Sequence, residues 1–322
     1  MKTSSKPRHP PAAAAASPAL EELRPGQSVE LLQELHILTR DGRLNQDSRR
    51  KLKQVYHLYQ FIEKLLLELG EGLTVADHGA GKSYLGFILY DLFFRARPDG
   101  WIYGIETREE LVQKSRTLAA RLGFERMRFL PISVAEATGS GELPAQIDMV
   151  TALHACDTAT DDAIRFGLHK RARCMVLVPC CQAELARLLS ANKALSLGRT
   201  PLAELWRHPL HTREMGSQLS NVLRCLYLEA WGYQVTVTEL VGWEHSLKNE
   251  LILARHTGHH RQASAHRLRA LLTEFGLTEL LQSRFILPAP HPEPSLSLGT
   301  TERIRTDMVQ NVPDGTDGAS PR

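Results

Sequence analysis

Short apolar blocks rich in β-branched and aromatic residues recur along this chain, separated by segments whose apolar positions fall at helical spacing. The run around Val75, then Trp101–Glu106, Met127–Ile132, Ile147–Leu153 and Cys174–Val178 read as five buried strands with helical crossovers. Tyr233–Val241 and Glu250–Ala254 follow as a sixth and a seventh strand. They lie too close together for a helical crossover and are expected as an antiparallel pair. The pattern predicts an α/β fold of the Rossmann-like, doubly wound kind, with a mostly parallel seven-stranded sheet and an antiparallel last strand. Within Asn45–Leu69 the residues Leu52, Val55, Leu58, Tyr59, Ile62, Leu65, Leu66 and Leu69 recur at helical spacing, which predicts an N-terminal helical cap across the ligand edge of the sheet. Tyr84–Phe94, apolar but for Asp91, is expected as a buried core helix.

Composition marks out the segments around this core. Residues 1–27 and 288–322 are rich in Pro, Ala, Ser, Gly and Thr, offer too little apolar periodicity to offset chain entropy, and are expected as disordered tails. The cap then covers 28–70, the α/β domain 71–257, and a helical extension 258–287. With 39 basic and 36 acidic side chains the formal net charge is only +3, so the whole chain lacks the charge signature of a nucleic-acid-binding protein. Locally, Arg49-Arg50-Lys51-Leu52-Lys53 and His169-Lys170-Arg171-Ala172-Arg173 are the densest basic runs, and solvated helix faces account for each. The five cysteines, Cys156, Cys174, Cys180, Cys181 and Cys225, lack a disulfide-framework spacing and imply reduced thiols in a cytoplasmic protein. No charge-free stretch reaches the roughly 18 residues a membrane span needs, and no obligate protein partner is expected.

The chemistry is concentrated at Asp77-His78-Gly79-Ala80-Gly81-Lys82-Ser83, where an apolar strand ends in an acid and two spaced glycines. Gly79 and Gly81 permit a tight turn that brings backbone N–H groups close to a ligand. Ala76–Ser83 is also a relaxed P-loop match with Ala in place of the first glycine, but Asp77 would set a carboxylate against the phosphates. A cationic sulfonium cofactor benefits from that acid, and S-adenosylmethionine has this chemistry. Glu106, the acid closing the second strand, stands where doubly wound folds bind ribose hydroxyls. Asp77, Gly79, Ala80, Gly81 and Glu106 are therefore the expected cofactor contacts.

These motifs resemble class I S-adenosylmethionine-dependent methyltransferases over roughly Gly70–His256, the acid-Gly-x-Gly pattern carrying the likeness and the family's frequent third glycine being replaced by Lys82-Ser83. Together with Leu153-His154-Ala155-Cys156-Asp157-x-Ala-Thr-Asp161 and Val178-Pro179-Cys180-Cys181-Gln182, the loop is similar to a subgroup containing the eukaryotic tRNA 2′-O-methyltransferase of the acceptor stem and related methyltransferase-like proteins. The resemblance implies an RNA substrate, although the Cys/His zinc modules of the tRNA enzyme are missing. It also implies adenine contacts at Ser133 and Val134, with Glu136 nearby, and a cofactor contact at His154.

Ligands of open parallel sheets bind beyond the carboxyl ends of the strands, which draws His154, Cys156, Asp157, Cys180, Cys181 and Gln182 to one edge. For a hydroxyl acceptor His154 or Asp157 is the expected base. For a ring-carbon acceptor, Cys156 or Cys181 is the expected covalent catalyst. His154, Cys156, Cys180 and Cys181 have poor spacing for zinc, and no metal is expected. His245–Asn249 and the segment Leu197–Gln218, with Trp206, His208, His211 and Arg213, are further expected contributors to an acceptor pocket. The remaining readings are methylation of a small molecule or protein, a catalytically silent cofactor-binding scaffold, and a P-loop NTPase.

Overall fold

The computed structural model describes residues 22–153, 155, 157–179, 183–191, 201–240 and 250–289. Seven strands, β1 (Thr74–His78), β2 (Trp101–Ile105), β3 (Met127–Leu130), β4 (Met149–Leu153), β5 (Cys174–Val178), β6 (Tyr233–Glu239) and β7 (Glu250–His256), form one sheet in the order β3-β2-β1-β4-β5-β7-β6. β1 to β5 are parallel, and β7 lies antiparallel between β5 and β6. All seven expected strands are present. β3 ends at Leu130, short of the predicted Ile132, because Pro131 has no N–H to continue a ladder. The order reverses between β1 and β4, which creates the crevice where such sheets hold ligands.

Alternation along each strand divides the core into two layers. Val75, Ile102, Met149 and Val176 pack against α1 (Val29–Glu34), α2 (Gln46–Leu69), α3 (Tyr84–Leu89) and α4 (Glu109–Arg121). Ala76, Tyr103, Val150 and Leu177 pack against α5 (Val134–Gly139), α6 (Thr158–His169), α7 (Ala183–Ala191), α8 (Pro209–Ala230), α9 (Gln262–Glu274) and α10 (Leu280–Ser283). The cap is part of the first layer. Asn45 caps α2 by accepting from the Ser48 N–H at 2.8 Å, and Leu52, Leu58, Tyr59, Ile62, Leu65 and Leu66 are buried beneath it. Each such side chain contributes about 1.5–3 kcal/mol, enough to hold a helix that leaves its other face in water.

Two expectations change at the N-terminal side. Residues 22–27, assigned to the tail by composition, are packed: Arg24 lies 4.5 Å from the Tyr59 ring centroid, Leu23 joins the core, and Gln27 accepts from the Tyr56 hydroxyl. One cation and its two aromatic partners, Tyr56 and Tyr59, here outweigh a polar, proline-containing composition. The helix over Tyr84–Phe94 is α3 followed by a π-turn at Tyr90–Phe94. Its Asp91 is buried, accepts from the Ser28 N–H at 2.9 Å and pairs with Arg95 at 2.6 Å, tying the start of α1 to the turn.

On the opposite layer Arg224 of α8 is 2% exposed, and its guanidinium meets both oxygens of Asp161, at 2.7 and 3.0 Å. It also donates to Asn221 Oδ1 at 3.1 Å and to the Asp157 carbonyl at 2.8 Å. Arg224→Met would leave Asp161 buried and unpaired by its main partner, so urea unfolding is expected to show a loss of about 3–5 kcal/mol. A loss below about 1 kcal/mol would show that this network does not hold α8 on α6.

Candidate active site

β1 ends in two polar residues that the strand sends to opposite faces. Asp77 registers with Gly104 of β2 and with Thr151 of β4. That register lets the Thr151 hydroxyl donate to Asp77 Oδ1 at 2.8 Å, while the Ser83 hydroxyl lies 3.4 Å from Oδ2 and the Gly86 amide adds a third bond. Gly104 is required beside it, since a Cβ there would lie 2.6 Å from the Phe129 ring. Burial pushes the Asp77 carboxyl up to about 6, an effect its hydrogen bonds only partly offset. His78 faces the other layer, edge-on to Phe166 with ring centroids 4.3 Å apart. Burial pushes its imidazole down to about 3, so the ring is neutral at physiological pH.

The turn after β1 passes through left-handed backbone at Gly79 (φ +61°), Gly81 (φ +55°) and Ser83 (φ +52°). Its amides are used internally. The Ala80 N–H donates to the Ile105 carbonyl at 3.2 Å, and the Gly81 N–H to Glu106 Oε2 at 2.9 Å. Glu106 also accepts from the Arg108 N–H at 3.1 Å and from Arg108 Nε at 3.0 Å. Burial would raise the Glu106 carboxyl, but the Arg108 and Gly81 donors outweigh it and hold it below the usual carboxylate range. A carboxylate in the turn and a fully buried Ser83 turned toward Asp77 are the reverse of what a phosphate cradle needs. The P-loop reading therefore fails on geometry.

Two cavities meet at Gly79. The first, about 440 Å³, lies between the turn, Ile105, Glu106 and Thr107 on one side and Ile132, Ser133, Val134 and Ala159 on the other. Ser133 is the N-cap of α5 and forms a reciprocal capping box with Glu136. The second, about 470 Å³, has Asp77, Ala80, Gly81 and Leu153 on the sheet side and Ile37, Lys51, Gln54 and Val55 on the cap side. Asp77, Gly79, Ala80, Gly81, Glu106, Ser133 and Val134 are thus gathered around one crevice, closed on one side by α2.

Other expected residues are placed differently. Asp157 has strained backbone (φ +53°, ψ −122°), and its carboxylate accepts from the Glu184 N–H of α7 at 3.1 Å and pairs with Arg187 at 3.4 Å. It lines neither of these two cavities and ties the loop after β4 to the start of α7. His208, His211 and Arg213 likewise line neither cavity: the two imidazoles meet edge-on and Arg213 pairs with Glu214. His154, Cys156, Cys180, Cys181, Gln182 and His245–Asn249 lie outside the described residues. Among the described residues there is no group of His, Cys, Asp and Glu able to hold a metal, and no helix is long and apolar enough to cross a membrane. Thr151, Arg108, Lys51 and Gln54 were not foreseen. Arg108, two residues beyond Glu106, carried a readable signal, whereas Thr151 is brought to Asp77 only by strand register.

Residues 50–188 match the family model described as a methyltransferase domain. The chain is 23% identical over 234 residues to the glutathione S-transferase C-terminal domain-containing protein of Homo sapiens, covering 67% of this chain and 35% of that protein. It thus spans about a third of the length of the curated relatives it matches. Among solved structures, the magnesium protoporphyrin IX methyltransferase of Synechocystis PCC 6803 with bound SAH gives a TM-score of 0.41 at 15% identity, covering 71% of this chain and 93% of that one. An rRNA methylase from Streptococcus thermophilus gives 0.38 at 10% identity, covering 61% and 94%. The family match, over less than half of the chain, likens residues 50–188 to a methyltransferase domain, and those residues carry β1 to β5 of the sheet.

The two polar residues closing β1 titrate with opposite consequences. His78 has a folded value near 3, well below the unfolded value of about 6.5, so stability is complete above pH 6.5 and falls by about 1.4 kcal/mol per unit as pH drops toward 3. Asp77 is raised, so its ionisation costs stability as pH climbs from about 4 to about 6. Unfolding free energies measured from pH 4 to 8 should show His78→Leu gaining on the wild type as pH falls below 6.5. Asp77→Asn should gain on it as pH rises to 6. Parallel pH profiles for all three proteins would contradict the burial of both groups.

Proposed function

We propose that this protein transfers a methyl group from S-adenosylmethionine to RNA. The observation that carries the cofactor reading is the pair of cavities meeting at Gly79. The apolar side chains Ile105, Ile132, Val134 and Ala159 suit a purine ring, and Glu106 between them suits the ribose hydroxyls. On the other side the buried carboxylate of Asp77 suits the positive sulfonium and ammonium groups, with the glycine turn alongside. For ribose to reach Glu106, Arg108 must release part of its hold on that carboxylate.

S-adenosylmethionine bound there would supply the methyl group to an acceptor hydroxyl, and Asp77, Glu106 and the glycine turn are the residues that would hold it. The acceptor proton passes to a base, for which His154 is the residue the reading retains, Asp157 being committed to α7. The crevice contributes orientation, and the α2 side chains limit water at the reacting centre. The RNA assignment rests on the motif resemblance, and the unpaired, buried thiol of Cys174, pushed up to about 11 by burial, suits the reducing cytoplasmic setting it assumes.

Calorimetric titration with S-adenosylmethionine tests the cofactor reading. Affinity is expected to rise as pH increases through about 6, where Asp77 ionises, and to level off above it. Asp77→Asn should flatten that profile and weaken binding about tenfold at pH 7.5, Glu106→Gln should weaken it at every pH, and magnesium ATP should not bind. Clear ATP binding with no adenosyl binding would overturn the proposal.

A further inference from the structure

We propose that Lys51 of α2 and Lys82 of the glycine turn form a two-ammonium clamp that holds a backbone phosphodiester of the RNA acceptor; this rests on the methyltransferase reading above. Both side chains line the cap-side cavity, and both residues are exposed. Their surroundings set them apart from the arginines nearby. Arg49 pairs with Glu22, Arg50 with Asp47 and Arg108 with Glu106, so the neighbouring guanidinium groups are already neutralised. Among the described residues neither the Lys51 nor the Lys82 ammonium has an ion-pair or hydrogen-bond partner.

Charge within this cavity is therefore sorted by depth. The buried carboxylate of Asp77 lies on the sheet side, where a cationic cofactor group would sit. The exposed Lys51 and Lys82 border the same cavity, one from the cap and one from the turn, and an anion between them would offset their like charges. Ile37, Val55, Tyr84, Leu85 and Leu153 supply an apolar lining in the same space, where a nucleoside can rest while its phosphate meets the lysines. A phosphodiester keeps its single charge at every physiological pH, and lysine binds it as a point charge without demanding bidentate geometry. The arrangement also gives the cap a function, since Lys51 reaches the acceptor only because α2 covers the crevice.

The test uses the full chain and the variants Lys51→Gln, Lys82→Gln and the double change, with two separate titrations. S-adenosylhomocysteine binding is followed by calorimetry. A short fluorescein-labelled single-stranded RNA of mixed sequence, and a peptide nucleic acid of the same bases, are followed by anisotropy with the adenosyl compound saturating. The expected result is RNA binding that weakens roughly tenfold at low salt in the double variant, with the slope of log K against log salt falling by about 0.7 for each lysine removed. The uncharged nucleic acid should bind weakly and be indifferent to the variants, and S-adenosylhomocysteine affinity should stay within twofold, which also reports intact folding. Loss of adenosyl affinity in either single variant would assign that lysine to the cofactor's carboxylate and overturn the clamp. Unchanged RNA affinity and salt slope, or no RNA binding by the wild type, would overturn it too. Failure of the methyltransferase reading is separate: the wild type would then bind no adenosyl compound whatever it does with RNA.

Discussion

The hydrogen bond from the Gly81 amide to the Glu106 carboxylate fixes the turn after β1 against the end of β2, and both cavities take their shape from it. A turn built on left-handed residues has no ladder of its own and would otherwise sample several conformations. Here one carboxylate gathers an amide from the turn and three donors from Arg108, so the loop is anchored by charge-assisted bonds at its outer side. On its inner side the Ser83 hydroxyl turns toward Asp77, and the turn is held from both ends.

That anchoring explains why a loop spelling Gly-Ala-Gly-Lys-Ser is not a phosphate cradle. Phosphate-binding turns leave their amides unpaired and converging, whereas these amides already point at an acid and a carbonyl. The same two acids then give the crevice its polarity. Asp77 is kept near its ionisation point by burial, and Glu106 is kept ionised by Arg108. Among the described residues no cation acts on the buried Asp77 carboxyl, an arrangement of the kind expected where a cationic ligand binds.

Away from the crevice, the loop after β4 shows how strain is held by its surroundings. Asp157 adopts a backbone conformation that a non-glycine residue rarely takes, and its carbonyl and carboxylate are each held, by Arg224 from α8 and by the first turn of α7. The sequence motif around Asp157 and Asp161 is thus in part an architectural one. Asp161 answers the buried Arg224, and Asp157 joins the segments that follow β4 and β5.

The seven strands, the cap helix and the glycine turn were legible in the sequence because each depends on local periodicity or on a residue type with few conformational alternatives. Strand blocks alternate with helical stretches, α2 repeats its apolar residues at helical spacing, and Gly79 and Gly81 announce positive φ. Placement of the Asp77, Glu106, Ser133 and Val134 side chains around one crevice followed from that topology. What the tertiary structure decided were pairings between residues far apart in the chain: Thr151 on Asp77, Arg224 on Asp161, Asp157 on α7, and Lys51 facing the glycine turn. Such contacts depend on strand register and helix packing, which no local pattern encodes. A carboxylate reads the same in sequence whether it faces a ligand or caps a helix, and only its neighbours in space decide between the two.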